Sequence, residues 1–89
     1  MWSKTRLEVI GSEVQLFCRS SGFPKPVVSW VGPDGIPITT FDRFEVTKSG
    51  DLLIKDLSWS DMGGYTCLAA NAVGDDHSVT FLYPTMVGL

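Results

Sequence analysis

The sequence predicts an all-β fold, a sandwich of two antiparallel sheets that are joined by one disulfide. Cys18 and Cys67 lie far apart in the chain, as expected of two cysteines that bridge opposing sheets. Trp30 follows the first cysteine at the distance of a neighbouring strand, where its ring would pack on the bridge. The second cysteine ends a D-x-G-x-Y-x-C run that begins at Asp61, and the hydroxyl of the tyrosine in such a run fastens a corner of the backbone.

Strand signals recur along the first third of the chain, and no segment has a helical period. Leu7–Ile10 is predicted as the first strand. Residues 14–18 alternate in a two-residue period that sends one set of side chains inward. Gly22–Pro26 contains two prolines, which lack a backbone donor, so a loop is predicted there. Val28 and Trp30 are then predicted to point inward from the third strand.

The middle of the chain predicts two short strands and a longer apolar one. Gly32–Gly35 reads as a turn, since its proline and glycines suit turn backbone. Ile36–Thr39 begins a short strand after it, and Phe44–Thr47 is a plausible edge strand. Residues 52–57 carry an L-x-I-x-x-L set that is predicted to face the core. Between Trp30 and Leu52 there is too little chain for the extra pair of strands found in variable-type sandwiches.

The C-terminal third predicts a hairpin. Residues 65–69 alternate inward on the penultimate strand, and Asn71–Gly74 is predicted as the turn. Val79, Phe81 and Tyr83 face one side of the last strand, and we predict that Phe81 and its neighbours on that side face the core.

Composition indicates one folded domain that binds neither nucleic acid nor a membrane. Hydrophobic residues make up 44% of the chain and charged residues 19%, which is enough for a core. The net charge is −3 without a basic run, and no apolar stretch approaches the roughly 18 residues that span a bilayer. We expect residues 1–89 to form a single domain with an ordered core over about 5–84. Without a signal peptide at its start, the chain is predicted to be one piece of a longer secreted protein.

The two cysteines also indicate a compartment. A pair with no leftover thiol suits a secreted or cell-surface protein, because disulfides persist in oxidising surroundings. The alternative is a pair of reduced, buried thiols in a cytosolic sandwich, since buried cysteine also packs as a small apolar residue.

Catalytic chemistry is not predicted. His77 is the single histidine, and it lies beside Asp75 and Asp76 near the start of the last strand. A weak metal or pH-sensing site is one interpretation, and a solvated turn is the favoured one. Zinc requires three or four ligands. Calcium requires spaced oxygen ligands, which the adjacent pair Asp75 and Asp76 does not provide. We therefore predict a protein that is not an enzyme and needs no metal or cofactor.

Taken together, the motifs resemble the intermediate set (I-set) of immunoglobulin domains over nearly the whole chain. They are G-x-P-x-P before Trp30, L-x-I-x-x-L, D-x-G-x-Y-x-C and the Asn71-x-x-Gly74 turn. The resemblance implies an ion pair between Arg43 and Asp61, and a hydrogen bond from the Tyr65 hydroxyl to nearby backbone. The residues of this structural signature are Trp30, Arg43, Leu52, Ile54, Asp61, Gly63 and Tyr65.

A narrower resemblance exists in the C-terminal half. Gly50–Ile54, Trp59–Gly63, Asn71–Gly74 and Phe81–Pro84 are similar to the second domain of secreted invertebrate two-immunoglobulin proteins. That family includes insulin-binding neural/ectodermal development factors of insects and nematode zwei-Ig proteins that are linked to keeping neurons in place. The resemblance implies an extracellular location, an insulin-like peptide or a cell-surface protein as partner, and a neighbouring immunoglobulin domain in the full protein.

Strand alternation predicts an uncharged outer surface on one sheet. The eight residues predicted to point outward from its third, sixth and seventh strands carry no charge, and such exposed surface tends to mark a binding site. They are Val27, Ser29, Val31, Thr66, Leu68, Ala70, Thr80 and Leu82. The alternative is scattered apolar residues that need no explanation. The other sheet is predicted to show a normal solvated surface, made of Glu13, Gln15, Arg19, Glu45, Asp51 and Lys55 with Phe17 and Leu53 as exceptions.

Two tryptophans are secondary candidates for the partner site, because aromatic residues are enriched among interface hot spots. They are Trp59 and Trp2. Trp59 precedes the tyrosine corner, where it could equally close the bottom of the core.

Three functions remain open on this basis. The leading hypothesis is a binding module of a secreted protein that sequesters a peptide or maintains neuronal contacts. The second is an adhesion or receptor ectodomain whose apolar face makes homophilic dimers. The third is a structural domain of a muscle filament protein with reduced cysteines. A signal peptide, a membrane span or a long intracellular array in the flanking sequence would distinguish them.

Overall fold

A computed structural model describes residues 2–18 and 26–86, with the side chains of Trp2 and Ser3 left outside the description. Most of the loop predicted over 22–26 therefore lies outside the described residues, as does Arg19. The strands are β1 (Trp2–Val9), β2 (Val14–Leu16), β3 (Val27–Val31), β4 (Pro37–Ile38), β5 (Phe44–Val46), β6 (Leu52–Ile54), β7 (Gly63–Ala70) and β8 (Asp75–Thr85). A single 3-10 turn, Trp59–Asp61, is assigned among these residues.

These strands form the predicted two-sheet sandwich. One sheet has five strands in the order β1-β8-β7-β3-β4, and the other has three in the order β2-β6-β5. All pairs are antiparallel except β1 with β8, which run parallel in register from Trp2↔Ser78 to Val9↔Thr85. The first strand is longer at its N-terminal end than Leu7–Ile10, because β8 supplies a partner along its whole length.

The core lies where the sequence places it. Cys18 and Cys67 form a disulfide that joins the end of β2 to β7, so it links the two sheets. The Trp30 ring is 1% exposed, and its Nε1 donates to the Gly50 carbonyl at 2.8 Å. That bond satisfies the one polar atom of a side chain that is otherwise apolar. The remaining buried hydrophobic residues include Val14, Leu16, Leu52, Ile54, Leu57, Tyr65 and Leu82.

The D-x-G-x-Y-x-C run builds a tyrosine corner. The Tyr65 hydroxyl donates to the Asp61 carbonyl at 2.7 Å. Both guanidinium nitrogens of Arg43 donate to the Asp61 carboxylate, at 2.9 and 3.0 Å. The Ser58 side chain caps the 3-10 turn by accepting from the Ser60 N–H, and the Ser58 backbone N–H donates to the Asp61 carboxylate at 2.8 Å. The corner is thus a closed network around one buried acid.

In the last strand, β8, the residues that face the core are the ones that were predicted to face outward, and the reverse. Tyr65 pairs with Thr80, and residues directly opposite in an antiparallel pair point to the same face. Because Tyr65 faces the core, Thr80 and Leu82 are buried, at 3% and 0% exposure. Their predicted outward positions are therefore wrong. Phe81, predicted to face inward, is 42% exposed.

One residue of the predicted solvated surface is also inside. Asp51 is only 4% exposed, and its carboxylate accepts from the Cys18 backbone N–H at 3.0 Å and from the Gln15 amide at 2.9 Å. It ties the end of β2 to the start of β6 beside the disulfide. The acid is buried because backbone and side-chain donors replace the water it loses.

Candidate partner-binding surface

Six of the eight residues predicted for the partner face lie together on the outward side of the five-stranded sheet. Val27 stands opposite Ala70, Ser29 opposite Leu68, and Val31 opposite Thr66. Direct cross-strand pairs share one face, so these six form a continuous area across β3 and β7. Val27 is 77% exposed and Leu68 is 40% exposed, so they are the large apolar side chains of this area that are most accessible to a partner.

The outward residues of β8 take the places that Thr80 and Leu82 were expected to fill. Val79 stands opposite Thr66, and Phe81 stands opposite Gly64. Tyr83 follows two residues later and is 43% exposed. These three extend the apolar area, which we call the outer face. It comprises Val27, Ser29, Val31, Thr66, Leu68, Ala70, Val79, Phe81 and Tyr83.

Aromatic rings gather at the end of the outer face near the tyrosine corner. The rings of Phe81 and Tyr83 lie 6.4 Å apart, and Trp59 meets Tyr83 edge-on at 6.3 Å. Leu7 stands opposite Tyr83 on β1 and is 66% exposed. We call Leu7, Trp59, Phe81 and Tyr83 the aromatic patch. Trp59, itself 54% exposed, lies on the outside of the molecule and does not close the bottom of the core.

A polarity gradient runs along β8. Asp75 and His77 occupy the outward positions near the turn, and His77 stands opposite Leu68. The outward positions become apolar from Val79 onward and aromatic beyond it. The turn itself forms as predicted, with the Asn71 N–H donating to the Gly74 carbonyl at 2.9 Å. The outer face therefore has one polar end and one aromatic end.

The outward position of the aromatic residues on β8 was not predicted, although the sequence contains a signal for it. The predicted turn at Asn71–Gly74 makes Ala70 and Asp75 its closing pair. Counting outward from that pair sets Tyr65 opposite Thr80, as the structure has it. Because Tyr65 was already predicted to face the core, the pairing alone would have turned Phe81 outward.

Three titrating groups of the tyrosine corner have shifted pKa values. The hydrogen bond to Asp61 raises the pKa of Arg43, against the opposing effect of burial. Burial acts to raise the pKa of Asp61, but the hydrogen bonds from Arg43 and the Ser58 N–H outweigh it and lower that pKa. Burial, helped by the charge of Asp61, raises the pKa of Tyr65 to about 12. Each group is thereby held in its ordinary neutral-pH form, which suits a structural fastening.

Neither a metal site nor a membrane span is found in the described part of the chain. No three His, Cys, Asp or Glu residues there come together in a way that could hold a metal ion. None of the helical segments in residues 2–18 and 26–86 is long and apolar enough to cross a membrane. His77 is an exposed residue on β8, three positions past Gly74, the last residue of the turn.

Comparison with protein families and known proteins agrees with this geometry. The immunoglobulin I-set domain matches residues 4–83. Neural/ectodermal development factor IMP-L2 of Drosophila melanogaster is 41% identical over 83 residues, which are 93% of this chain and 31% of that protein. Zwei Ig domain protein zig-4 of Caenorhabditis elegans is 40% identical over 84 residues, covering 94% of this chain and 32% of that protein. The chain thus spans about a third of the length of these relatives.

Solved structures extend the likeness to cell-surface proteins. The crystal structure of IMP-L2 superposes with a TM-score of 0.90 at 40% identity, covering 92% of this chain and 40% of that one. The N-terminal eight immunoglobulin domains of Down Syndrome Cell Adhesion Molecule give 0.83 at 30% identity, covering 92% and 13%. This chain is therefore homologous both to two-immunoglobulin proteins and to adhesion ectodomains.

Proposed function

Because the chain belongs to the immunoglobulin I-set family, we propose that it is an extracellular protein-binding module whose partner covers the outer face and the aromatic patch. The observation that supports this most directly is the run of exposed apolar side chains from Val27 through Leu68 to Tyr83, at 77%, 40% and 43% exposure. Contiguous apolar surface of this kind is rare on proteins without a partner. The family's usual role as a binding module, without catalysis, is consistent with it.

The aromatic patch is the expected centre of the binding energy. Tryptophan and tyrosine are enriched among interface hot spots, and their rings supply large contact area at small entropic cost. Trp59 and Tyr83 already hold each other edge-on at 6.3 Å, so their orientations are largely set before a partner arrives.

An insulin-like peptide is the partner we assign, as the resemblance to secreted two-immunoglobulin proteins implies. Similarity to IMP-L2 at 41% identity supports this choice, and similarity to zwei-Ig proteins supports a role in contacts around neurons. Since the chain spans about a third of those proteins, a neighbouring immunoglobulin domain is expected to contribute to the site. A disulfide-linked core favours secretion over a role inside muscle filaments.

Homophilic adhesion is the second candidate. It is supported by 30% identity to a solved protein that is described as a cell adhesion molecule. In this case the outer face would bury against the same face of a second copy, as a two-fold symmetric dimer requires.

Isothermal titration of the chain with insulin tests the first proposal. Leu68→Arg places a charge at the middle of the outer face, and we expect it to weaken binding at least tenfold, since an unpaired charge is costly to bury. Val73→Arg is the matched control, because Val73 is 81% exposed in the turn and is not a residue of the outer face. Thermal unfolding should show both variants folded.

The outcomes separate the candidates. Binding that survives Leu68→Arg would place the site elsewhere. No heat from either the unmodified chain or the full-length protein that contains it would argue against the insulin-like peptide. Sedimentation would then test homophilic association, which requires a dimer that Leu68→Arg dissociates and Val73→Arg leaves intact.

A further inference from the structure

A second apolar site lies at the other edge of the sandwich, away from β1. The β3–β4 turn, the Thr39–Phe44 segment and the residues after the 3-10 turn enclose a cleft of about 430 Å³. Ile36 and Phe41 stand at its mouth with 62% and 78% exposure. Neither belongs to the outer face. The volume lies in the lower part of the range for ligand pockets, enough for one large side chain.

The walls of the cleft are held by local structure. The Asp34 carboxylate accepts from the Ile36 N–H at 3.0 Å, and the Gly32 N–H donates to the Ile36 carbonyl at 3.0 Å. Gly63, with a φ of 145°, packs so closely on Pro33 that a Cβ there would lie 2.5 Å from the proline ring. Because its walls are already fixed in this way, the cleft loses little conformational entropy when a ligand binds.

The edge strands beside the cleft are closed to an added strand. Pro37 in β4 has no N–H to donate to a new neighbour. On β5, the N–H and carbonyl of Phe44 are both bonded to Phe41, at 3.0 and 2.9 Å. The Val46 N–H donates to the Thr40 hydroxyl at 3.0 Å. An occupant must therefore enter the cleft by its side chain and not by its backbone.

The charged residues that line the cleft are acidic, and the nearby guanidinium of Arg43, 5.2 Å from the centre of the Phe44 ring, is paired with one of them. The residues that line it include Asp34 and Asp61, and none of these lining residues is Lys, Arg or His. Asp61 is already neutralised by Arg43 at 2.9 Å. Asp34 is exposed at the rim, and its one described hydrogen bond, from the Ile36 N–H, uses a single carboxylate oxygen. An apolar cleft with an acidic rim complements a ligand that combines an apolar body with a positive charge.

We propose that this cleft binds a peptide segment in which a basic residue lies next to an aromatic one. The aromatic side chain enters between Ile36, Phe41 and Met62, and the ammonium or guanidinium group pairs with Asp34. The cleft shares no lining residue with the outer face or the aromatic patch, so the peptide segment can occupy it while a partner covers those surfaces.

Nuclear magnetic resonance titration of the ¹⁵N-labelled chain tests the proposal with two matched peptides. Acetyl-Lys-Trp-Lys-amide and acetyl-Glu-Trp-Glu-amide share the indole ring and differ in charge. The basic peptide is expected to shift the amide signals of Gly35, Ile36 and Met62 in a saturable way, with an affinity at least tenfold above that of the acidic peptide.

Two variants sharpen the test. Asp34→Asn keeps an oxygen that can accept from the Ile36 N–H, so the turn should persist while the preference for the basic peptide falls to about threefold or less. Asp75→Asn removes an exposed acid elsewhere and should leave the preference unchanged. Equal affinity for the two peptides, or shifts that do not map to the cleft, would overturn the proposal. Leu68→Arg should leave these shifts intact, which separates this site from the outer face.

Discussion

The two outer surfaces of the sandwich are built by the same alternation of side chains, but the side chains that point outward differ in polarity. Gln15, Leu53 and Glu45 lie side by side across the three-stranded sheet, and Lys55 reaches Glu45 at 3.9 Å. In the corresponding row of the five-stranded sheet, Ser29 and Leu68 of the outer face lie beside His77. The surface of the three-stranded sheet mixes polar, charged and apolar side chains within one row. Along β8 of the five-stranded sheet, the outward side chains change from polar near the turn to aromatic at the aromatic patch.

Phe17, an aromatic residue on the three-stranded side, lies beneath two long cationic side chains. Lys4 and Arg6 each place a cationic group 6.0 Å from the centre of the Phe17 ring. Arg6 also donates to the Gln15 carbonyl at 3.0 Å, which holds it across the edge between the sheets. Phe81 and Tyr83 instead contact other exposed rings. The described ring contacts of the two surfaces thus differ, with cationic side chains over Phe17 and further rings beside Phe81 and Tyr83, and this difference agrees with the partner site proposed above.

Breaking the link between the sheets is expected to give the largest effect, because both surfaces depend on it. Replacing Cys18 and Cys67 together by alanine removes a cross-link between residues 49 apart. The free energy of unfolding should fall by about 4 kcal/mol, as loop-closure entropy predicts. Urea denaturation of the oxidised chain and the double variant measures it. A loss below about 1 kcal/mol would show that packing around Trp30 holds the sheets together by itself.

Removing the buried acid of the tyrosine corner should cost about 2–3 kcal/mol, since Asp61→Asn leaves Arg43 without its partner charge. The pKa of Asp61 is lowered in the folded chain, so its contribution is present above the unfolded pKa of about 4 and is lost as pH falls below it. Denaturation between pH 2 and 7 should therefore show a shallower acid loss in the variant. Equal slopes would contradict the assignment.

Tyr83→Ala tests the difference between the two surfaces in binding. It removes the ring that Trp59 meets edge-on, and the affinity for insulin should fall about tenfold, or about 1.4 kcal/mol. Glu45→Ala, on the three-stranded sheet, is the control and should change the affinity less than twofold. Calorimetric titration measures both. An equal loss of affinity in the two variants would show that the two surfaces do not differ in their contribution to binding.

The smallest effect is expected from the ion pair between Lys55 and Glu45. Both side chains are about half exposed, at 50% and 45%, so a double-mutant cycle to alanine should give a coupling under about 0.5 kcal/mol. Raising the salt concentration should reduce it further. A coupling above about 1 kcal/mol would mean that the three-stranded surface is more ordered than its exposure indicates.

Positions set by local motifs were predicted correctly from the sequence, and the phase of one strand was not. Cys18, Trp30 and Tyr65 each occupy the buried position that the motif around them requires. From Phe81 to Pro84 the last strand is apolar on both sides, so hydrophobic alternation gives no preference between Phe81 and Leu82. Only pairing with a neighbouring strand distinguishes them, and that information lies in the turn before the strand.

Buried polar groups and the cleft were harder to foresee for a different reason. Asp51 is inside because the Cys18 N–H and the Gln15 amide reach it from another strand, and no local pattern reports such donors. The cleft likewise combines residues from three separate segments of the chain. Sequence motifs describe neighbours along a strand, whereas these sites depend on which segments meet.

Methyl cross-saturation in a complex with unlabelled insulin tests the central claim most directly. The chain would carry protonated methyl groups in a deuterated background, so that only methyls touching the partner lose intensity. Loss at Leu7, Leu68 and Val79, with Leu53 unchanged, is the predicted result. Loss at Leu53 with Leu68 and Val79 unchanged would contradict the assignment of the outer face as the partner-binding surface.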